Sequence, residues 1–131
     1  MATALQPRGG HIQLFAAIGV GQVQWRLLSG NNREIGRGAQ VFADAESCRI
    51  AVKELQARFH ETETFVRRAG GHSWTWQVSL AGKPVAAAAH NYDRLIRCER
   101  GLAQFVAQVA VAGVGPVLML SQARRWRTSV G

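Results

Sequence analysis

The chain has 131 residues, of which 47% are hydrophobic and 18% are charged, and it carries a net charge of +8. This length suits one compact domain, and the composition excludes an intrinsically disordered chain. The N-terminal stretch 1–10 is short, mixed in character and contains glycine and proline. We therefore expect no signal peptide and a cytoplasmic location.

The positive charge is unevenly distributed along the chain. Residues 1–65 contain seven Lys or Arg and six Asp or Glu, whereas residues 66–131 contain nine and two. Fourteen of the sixteen basic residues are arginine, whose guanidinium fork binds phosphate and stacks on bases. Nucleic acid is therefore a candidate partner, although a codon bias toward arginine would produce the same composition without any function.

The two halves of the chain resemble each other, which predicts a tandem repeat of one supersecondary unit. The matched positions, 50 or 51 residues apart, are Trp25 with Trp76, Phe42 with Tyr92, Cys48 with Cys98, and 51–52 with 101–102. Equivalent placement of the two cysteines favours small buried thiols over a disulfide or a metal site. We divide the chain into an N-terminal extension (1–10), repeat 1 (11–60), repeat 2 (61–121) and a basic tail (122–131).

Repeat 1 begins with a predicted antiparallel meander of three strands. Apolar residues alternate with polar ones in 11–15 and again in 23–27, which is the pattern of half-buried strands. The stretch 29–32 has the residue types of a hairpin turn. The third strand is predicted over 35–42, and its two glycines indicate a bulge or a close backbone approach.

A helix follows in repeat 1, with Asp44 as the predicted N-cap. Its apolar residues recur three and four positions apart, so they form one stripe that faces the core. That stripe consists of Ala45, Cys48, Val52, Leu55 and Phe59.

Repeat 2 predicts the same order of elements. Strands are expected over 64–68, 73–80 and 85–90, and Asp93 is the predicted cap of a second helix. A short apolar strand over 117–120 follows a break rich in glycine and proline. The apolar stripe of the second helix consists of Leu95, Cys98, Leu102, Phe105 and Val109.

One segment also has the length of a membrane span. Residues 101–123 contain no charged side chain, and arginines flank both ends. Three glutamines, a Gly-Val-Gly-Pro break and a helical stripe that continues from the preceding charged turn favour a helix followed by a strand. We therefore expect no membrane span.

Several residues resemble the YegP-like family of small uncharacterised bacterial proteins. They are the turn and strand 30–35, the aromatic residues Phe42 and Tyr92, the helix starts, and the step 100–102 in the second helix. The resemblance implies two β-β-β-α(-β) units that build a single sheet and exchange their terminal strands, with 117–120 as the exchanged strand. Departures are Ile50-Ala51 at the expected helix glycine, Pro84, and the tail. The family has no established activity, so no functional residue is carried over.

The sequence contains no complete motif of catalysis or metal binding. The four histidines have no ligand spacing with each other or with the cysteines, and no serine lies in a G-x-S-x-G elbow. The G-x-G stretches 19–21 and 36–38 lack the rest of a phosphate loop. We accordingly predict no catalytic residue, no cofactor, no metal and no enzymatic activity, and we interpret the histidines as exposed.

The predicted fold is α+β, with one antiparallel sheet and both helices on the same face. The tryptophans at 25, 74 and 76 would lie under the helices, and the other face would be open and polar. We predict a non-enzymatic module that binds a protein or itself, as a homo-oligomer, through that open face or an edge strand. The alternative is a nucleic-acid-binding accessory protein. Its candidate contacts are Arg26, Arg33, Arg37, Lys83, Arg124, Arg125, Trp126 and Arg127.

Overall fold

Seven strands and two helices make up the fold in a computed structural model, which describes residues 10–17, 19 and 21–120. The predicted N-terminal extension, except Gly10, and the basic tail lie outside the described residues. The elements are β1 (His11–Ala17), β2 (Val23–Leu28), β3 (Glu34–Gly38), α1 (Ala45–Ala57), β4 (Glu63–Gly70), β5 (Ser73–Leu80), β6 (Lys83–Ala88), α2 (Leu95–Val109) and β7 (Gly113–Leu120).

All seven strands belong to one sheet in the order β4-β5-β6-β3-β2-β1-β7. The predicted antiparallel sheet is a mixed one, because β7 pairs with β1 in the parallel direction. The five other pairings are antiparallel. The parallel pair has a physical cause: β7 reaches the far edge of the sheet after the α2 crossover, which returns the chain in the direction of β1.

Both helices lie on the same face of this sheet, as predicted. A single hydrophobic core joins the inner face of the strands to the buried stripe of each helix. Trp25 and Trp76 are 2% and 1% exposed, and the Phe105 ring of α2 lies 6.5 Å and 4.8 Å from their ring centroids. The tryptophans at 25 and 76 are therefore core residues, as their alternation with polar residues predicts.

Two glycines of β3 allow this close packing. A Cβ atom on Gly36 would collide with the rings of Phe105 and Trp76, and one on Gly38 would collide with Trp25. The predicted close backbone approach is therefore confirmed at both positions. Because β3 occupies the middle of the sheet, its bare backbone leaves the space into which the aromatic rings fit.

The matched residues of the two halves occupy matching places. Val23 and Phe42 form an isolated β-bridge with two backbone hydrogen bonds of 2.8 Å, and Trp74 and Tyr92 form the same bridge at the same distances. Cys48 and Cys98 are both fully buried and free, one in each helix. The bridges hold the chain segment before each helix against the sheet.

Several element boundaries differ from prediction. The third strand ends at Gly38 rather than at 42, β6 begins at Lys83, and β7 begins at Gly113, so the glycine- and proline-containing break is part of the strand. Asp44 caps α1 as predicted by accepting a hydrogen bond from the Ser47 amide. Asp93 does not cap α2, because the N-cap position falls on Arg94 and places Asp93 one residue too early.

Candidate interaction surface

The outer face of the sheet carries no helix within the described part of the chain. Side chains directly opposite each other on neighbouring strands form a continuous row across six strands of this face. From the β1 side to the β4 side, the row consists of Gln13, Arg26, Arg37, Ala87, Gln77 and Phe65. The predicted polar face therefore exists, with two arginines at its centre.

Arg26 is held by three neighbours on this face. Its Nε donates a hydrogen bond of 2.8 Å to Gln13 Oε1, and its guanidinium carbon lies 4.8 Å from the centre of the Phe15 ring. A terminal nitrogen lies 3.7 Å from Glu34 Oε1. Only 27% of the Arg26 side chain is exposed. These contacts orient the guanidinium and leave it little freedom to follow a ligand.

Glu34 reduces the positive charge at the centre of the face. Besides Arg26, it accepts hydrogen bonds from Arg37, with Nη2 and Nε both 2.8 Å from Oε2. One carboxylate therefore serves two arginines, and the trio has a net charge of +1. The contact with Arg37 is local to β3, whereas the contact with Arg26 depends on the pairing of β2 with β3 and is not visible in the spacing of the sequence.

The structure brings together only two of the predicted nucleic-acid contacts. Arg26 and Arg37 lie directly opposite each other on the outer face. Arg33 lies in the turn between β2 and β3, and Lys83 lies on the helix side, where it lines a cleft with Trp25 and Phe42. The predicted contacts in the tail (Arg124, Arg125, Trp126 and Arg127) lie outside the described residues.

The two edges of the sheet differ in their chemistry. The edge strand β4 carries Glu63, Arg67 and Arg68, which is the kind of charge that discourages edge-to-edge pairing. The opposite edge strand, β7, has the sequence GVGPVLML and carries no charge. An uncharged edge strand with unpaired backbone groups is a template for another strand.

Large apolar side chains are exposed on both faces of β7. Leu118 is 42% exposed and lies beside Phe15 on the outer face, and Met119 is 56% exposed. The apolar run over 117–120 correctly predicts a strand, but without alternation it does not indicate which of its side chains are exposed. The register of β7 shifts opposite the step from Ile12 to Leu14, where Gly115 and Pro116 form a bulge.

The bulge of β7 is anchored to α1. Arg49 of α1 donates a hydrogen bond of 3.1 Å to the Gly115 carbonyl oxygen. Gln56 donates two further bonds, of 3.0 Å and 2.8 Å, to the carbonyl oxygens of Val109 and Ala112 just before the strand. The N-terminal part of β7 is therefore fixed, so the segment 117–120 presents a defined edge.

The titratable groups provide little reactive chemistry. Burial raises the pKa of the Cys48 thiol to about 11 and raises the pKa of Cys98, so both thiols are protonated at neutral pH. All four histidines are exposed, as predicted. Among residues 10–17, 19 and 21–120, His, Cys, Asp and Glu side chains do not form a group able to hold a metal ion. No helix in that part of the chain is long and apolar enough to cross a membrane.

Two solved structures share this arrangement of strands and helices. The solution structure of yegP from E. coli, a protein of unknown function, matches with a TM-score of 0.66 at 16% identity, covering 85% of this chain and 94% of that one. A UPF0339 protein from Shewanella oneidensis matches with a TM-score of 0.65 at 11% identity, covering 87% and 93%. The chain has the yegP fold. No protein-family model and no curated protein matches the sequence.

In this chain β7, which follows the second helix, pairs with β1 at the edge of the sheet. The structural likeness extends over nearly the whole length of both neighbours. At such low identity it concerns the fold alone.

Proposed function

We propose that this chain is a non-enzymatic interaction module that forms a homodimer through the outer edge of β7. The observation that carries the proposal is the combination, on one edge strand, of no charge and two exposed large apolar side chains, Leu118 and Met119. Pairing of two edge strands satisfies backbone groups in both chains, while the apolar side chains lose their exposure to water.

A second copy is the partner that suits this strand. In an antiparallel pair about a two-fold axis, residues near the axis meet their own copies, so a charge there would lie beside the same charge of the other chain. An uncharged β7 avoids that repulsion. The net charge of +8 opposes association of two copies in general, and an uncharged strand adds the least local repulsion to it.

Sedimentation velocity over a wide range of protein concentration tests this proposal. We expect a monomer–dimer equilibrium that shifts toward the dimer as concentration rises. A strict monomer at every concentration would exclude self-association. In that case a strand of a different protein remains the partner to be sought at the same edge.

The alternative function is binding of nucleic acid. It is supported by the arginine pair on the outer face, where Arg26 over Phe15 and the neighbouring Arg37 combine charge with an aromatic surface. The neutralising contact of Glu34 with both arginines places it second. A gel shift with single-stranded DNA at low salt tests it, because phosphate contacts make affinity fall steeply as salt increases.

We also propose that the chain belongs to the YegP-like family and arose by tandem duplication of one β-β-β-α(-β) unit, with repeats over 11–60 and 61–121. Support comes from the shared fold and from the two matching β-bridges, Val23 with Phe42 and Trp74 with Tyr92. Comparison of the two halves then separates what the scaffold needs from what one half alone has acquired.

A further inference from the structure

A cleft lies between the β2–β3 turn and the second helix. It has a volume of about 630 Å³, and its lining includes Arg33 from the turn and Arg97, Arg100 and Gln104 from α2. Small-molecule sites have volumes of about 300–1,000 Å³. We propose that this cleft binds a small phosphate-bearing molecule.

The arginines supply the charge for such a ligand. Within the described part of the chain, no carboxylate oxygen lies within 4.0 Å of a nitrogen of Arg33 or Arg100. Of the two acidic residues that line the cleft, Glu34 is engaged with Arg26 and Arg37, and Asp93 is 4.0 Å from Arg97. The guanidinium groups of Arg33 and Arg100, which come from different elements, are therefore available to bind one anion.

The N-terminus of α2 adds to the positive potential of the cleft. The N-cap residue Arg94 makes no side-chain hydrogen bond to the first turn, whereas Asp44 caps the corresponding turn of α1. Uncapped amides at the start of a 15-residue helix favour an anion. These amides add to the positive charge that the arginines supply.

A second cleft, at the matching place in the other half, gives an internal comparison. It has a volume of about 330 Å³ and lies between the β5–β6 turn and α1. Seven lining positions correspond at a spacing of 50 residues, among them Arg33 with Lys83, Tyr92 with Phe42, and Gln104 with Glu54.

The two clefts have the same formal net charge of +1 on their lining residues, but they differ in how many basic groups lack a carboxylate partner among the described residues. In the smaller one Glu54 forms an ion pair of 2.8 Å with Arg58, so a carboxylate stands where the larger cleft has the neutral amide of Gln104. No counterpart of Arg97 or Arg100 is present there, because Ser47 and Ile50 occupy those positions. Within the described ranges, the larger cleft thus has two basic side chains without a carboxylate partner, Arg33 and Arg100, against Lys83 alone in the smaller one, which favours an anion in the larger cleft.

Aromatic groups beside the arginines favour an organic phosphate over the free ion. The rings of His90 and Tyr92 lie 4.5 Å apart at 43° and both line the cleft. A planar substituent can contact these rings while the phosphate is held by Arg33 and Arg100. Inorganic phosphate and phenyl phosphate are therefore the two probes that distinguish the sources of the anion.

Titration of the full chain with each probe tests the proposal, with the amide chemical shifts monitored by NMR. We expect saturable shifts around the cleft with a dissociation constant of about 1 mM or tighter. Tighter binding of phenyl phosphate supports an organic ligand, and equal binding supports the inorganic ion. Absence of saturable shifts with both probes would overturn the proposal.

Variants locate the binding. The double change Arg33→Gln and Arg100→Gln affects exposed side chains and should weaken binding at least tenfold, since hydrogen bonds to charged groups contribute about 1.5–3 kcal/mol each. Lys83→Gln, the matched change in the smaller cleft, should leave affinity unchanged. An equal loss with Lys83→Gln would show non-specific attraction to a basic protein and would contradict the assignment.

Discussion

The hydroxyl of Tyr92 lies directly against the backbone of Gly101 in α2, at a place where a Cβ atom would collide with it. In the other half the corresponding residues are Phe42 and Ala51, so the side that gains a hydroxyl has lost a methyl group. The two positions compensate each other in volume. This pair also forms part of the wall of the larger cleft.

The compensation predicts non-additive stability changes. Gly101→Ala alone should lower the free energy of unfolding by about 1–2 kcal/mol, because the new methyl group displaces Tyr92. In a Tyr92→Phe background the same change should be neutral or stabilising by up to about 1 kcal/mol, through the higher helix propensity of alanine. A double-mutant cycle in urea measures the coupling, and equal effects in both backgrounds would contradict it.

The bare backbone of β3 predicts sensitivity at one central glycine. Gly36→Ala should destabilise the fold by about 1–3 kcal/mol, because its methyl group meets the rings of Phe105 and Trp76, both fully buried and unable to move away. Gly113→Ala is the control, since no heavy atom lies within 4 Å of the added Cβ atom. Thermal unfolding of the two variants should separate them clearly, and similar melting temperatures would count against the packing argument.

Self-association through β7 predicts an effect of charge on that strand. Leu118→Lys should raise the dimer dissociation constant at least tenfold, because a two-fold pairing brings the lysines of both chains together. Val111→Lys is the matched control: Val111 is 80% exposed and lies in the turn before β7. Sedimentation velocity of both variants is the measurement. Equal weakening by both would place the interface elsewhere.

The buried thiol of Cys48 predicts a stability loss at alkaline pH. Its pKa is raised from 9.0 to about 11 by burial, so the unfolded chain ionises first as pH rises. The contribution of this thiol to the free energy of unfolding is therefore fully present below pH 9. About 2–3 kcal/mol of it is lost as pH rises from 9 to 11. Cys48→Ala is the control, because all other titrating groups contribute equally in both proteins. Its free energy of unfolding should decline less steeply with pH. Parallel curves would disprove this contribution.

The helix caps predict different responses at two aspartates. Asp44 accepts the Ser47 amide hydrogen bond, which lowers the pKa of its carboxyl group, whereas Asp93 lies outside the cap position of α2. Asp44→Ala should reduce the melting temperature more than Asp93→Ala. Because the Asp44 pKa is lowered, this difference is present at neutral pH and should shrink as acid protonates the carboxylate. Equal melting temperatures would show that the cap contributes nothing measurable.

Local pattern was sufficient to predict most of the elements. The alternation of Val23, Trp25 and Leu27 with polar residues correctly placed one face of β2 in the core, and the spacing of Cys48, Val52 and Leu55 correctly placed that of α1. These patterns work because side-chain direction repeats every two residues in a strand and every 3.6 in a helix. The predicted cap of α2, Asp93, was wrong by one residue, because aspartate is favourable at several neighbouring positions of a turn.

Such local patterns could not predict which strands pair or which charged groups come together. The parallel pairing of β7 with β1 depends on how the crossover returns the chain, and the apolar run over 117–120 has no alternation from which a face could be assigned. Likewise, the contact of Glu34 with Arg26 arises from the register between β2 and β3. Both features require contacts between elements that are distant in the sequence or related by strand register.

The sequence by itself determined most of the residues that form the core, since the matched tryptophans and cysteines of the two halves carry that information in their spacing. Leu95 is an exception: the predicted stripe of the second helix included it, but it is 39% exposed at the first position of α2. Only the tertiary structure decided where the charges act. It distributed the arginines among an outer face, a cleft and a turn, and it left β7 as an uncharged edge. The physical reason is that burial follows local periodicity, whereas the position of a charge relative to its partners is set by sheet order and register.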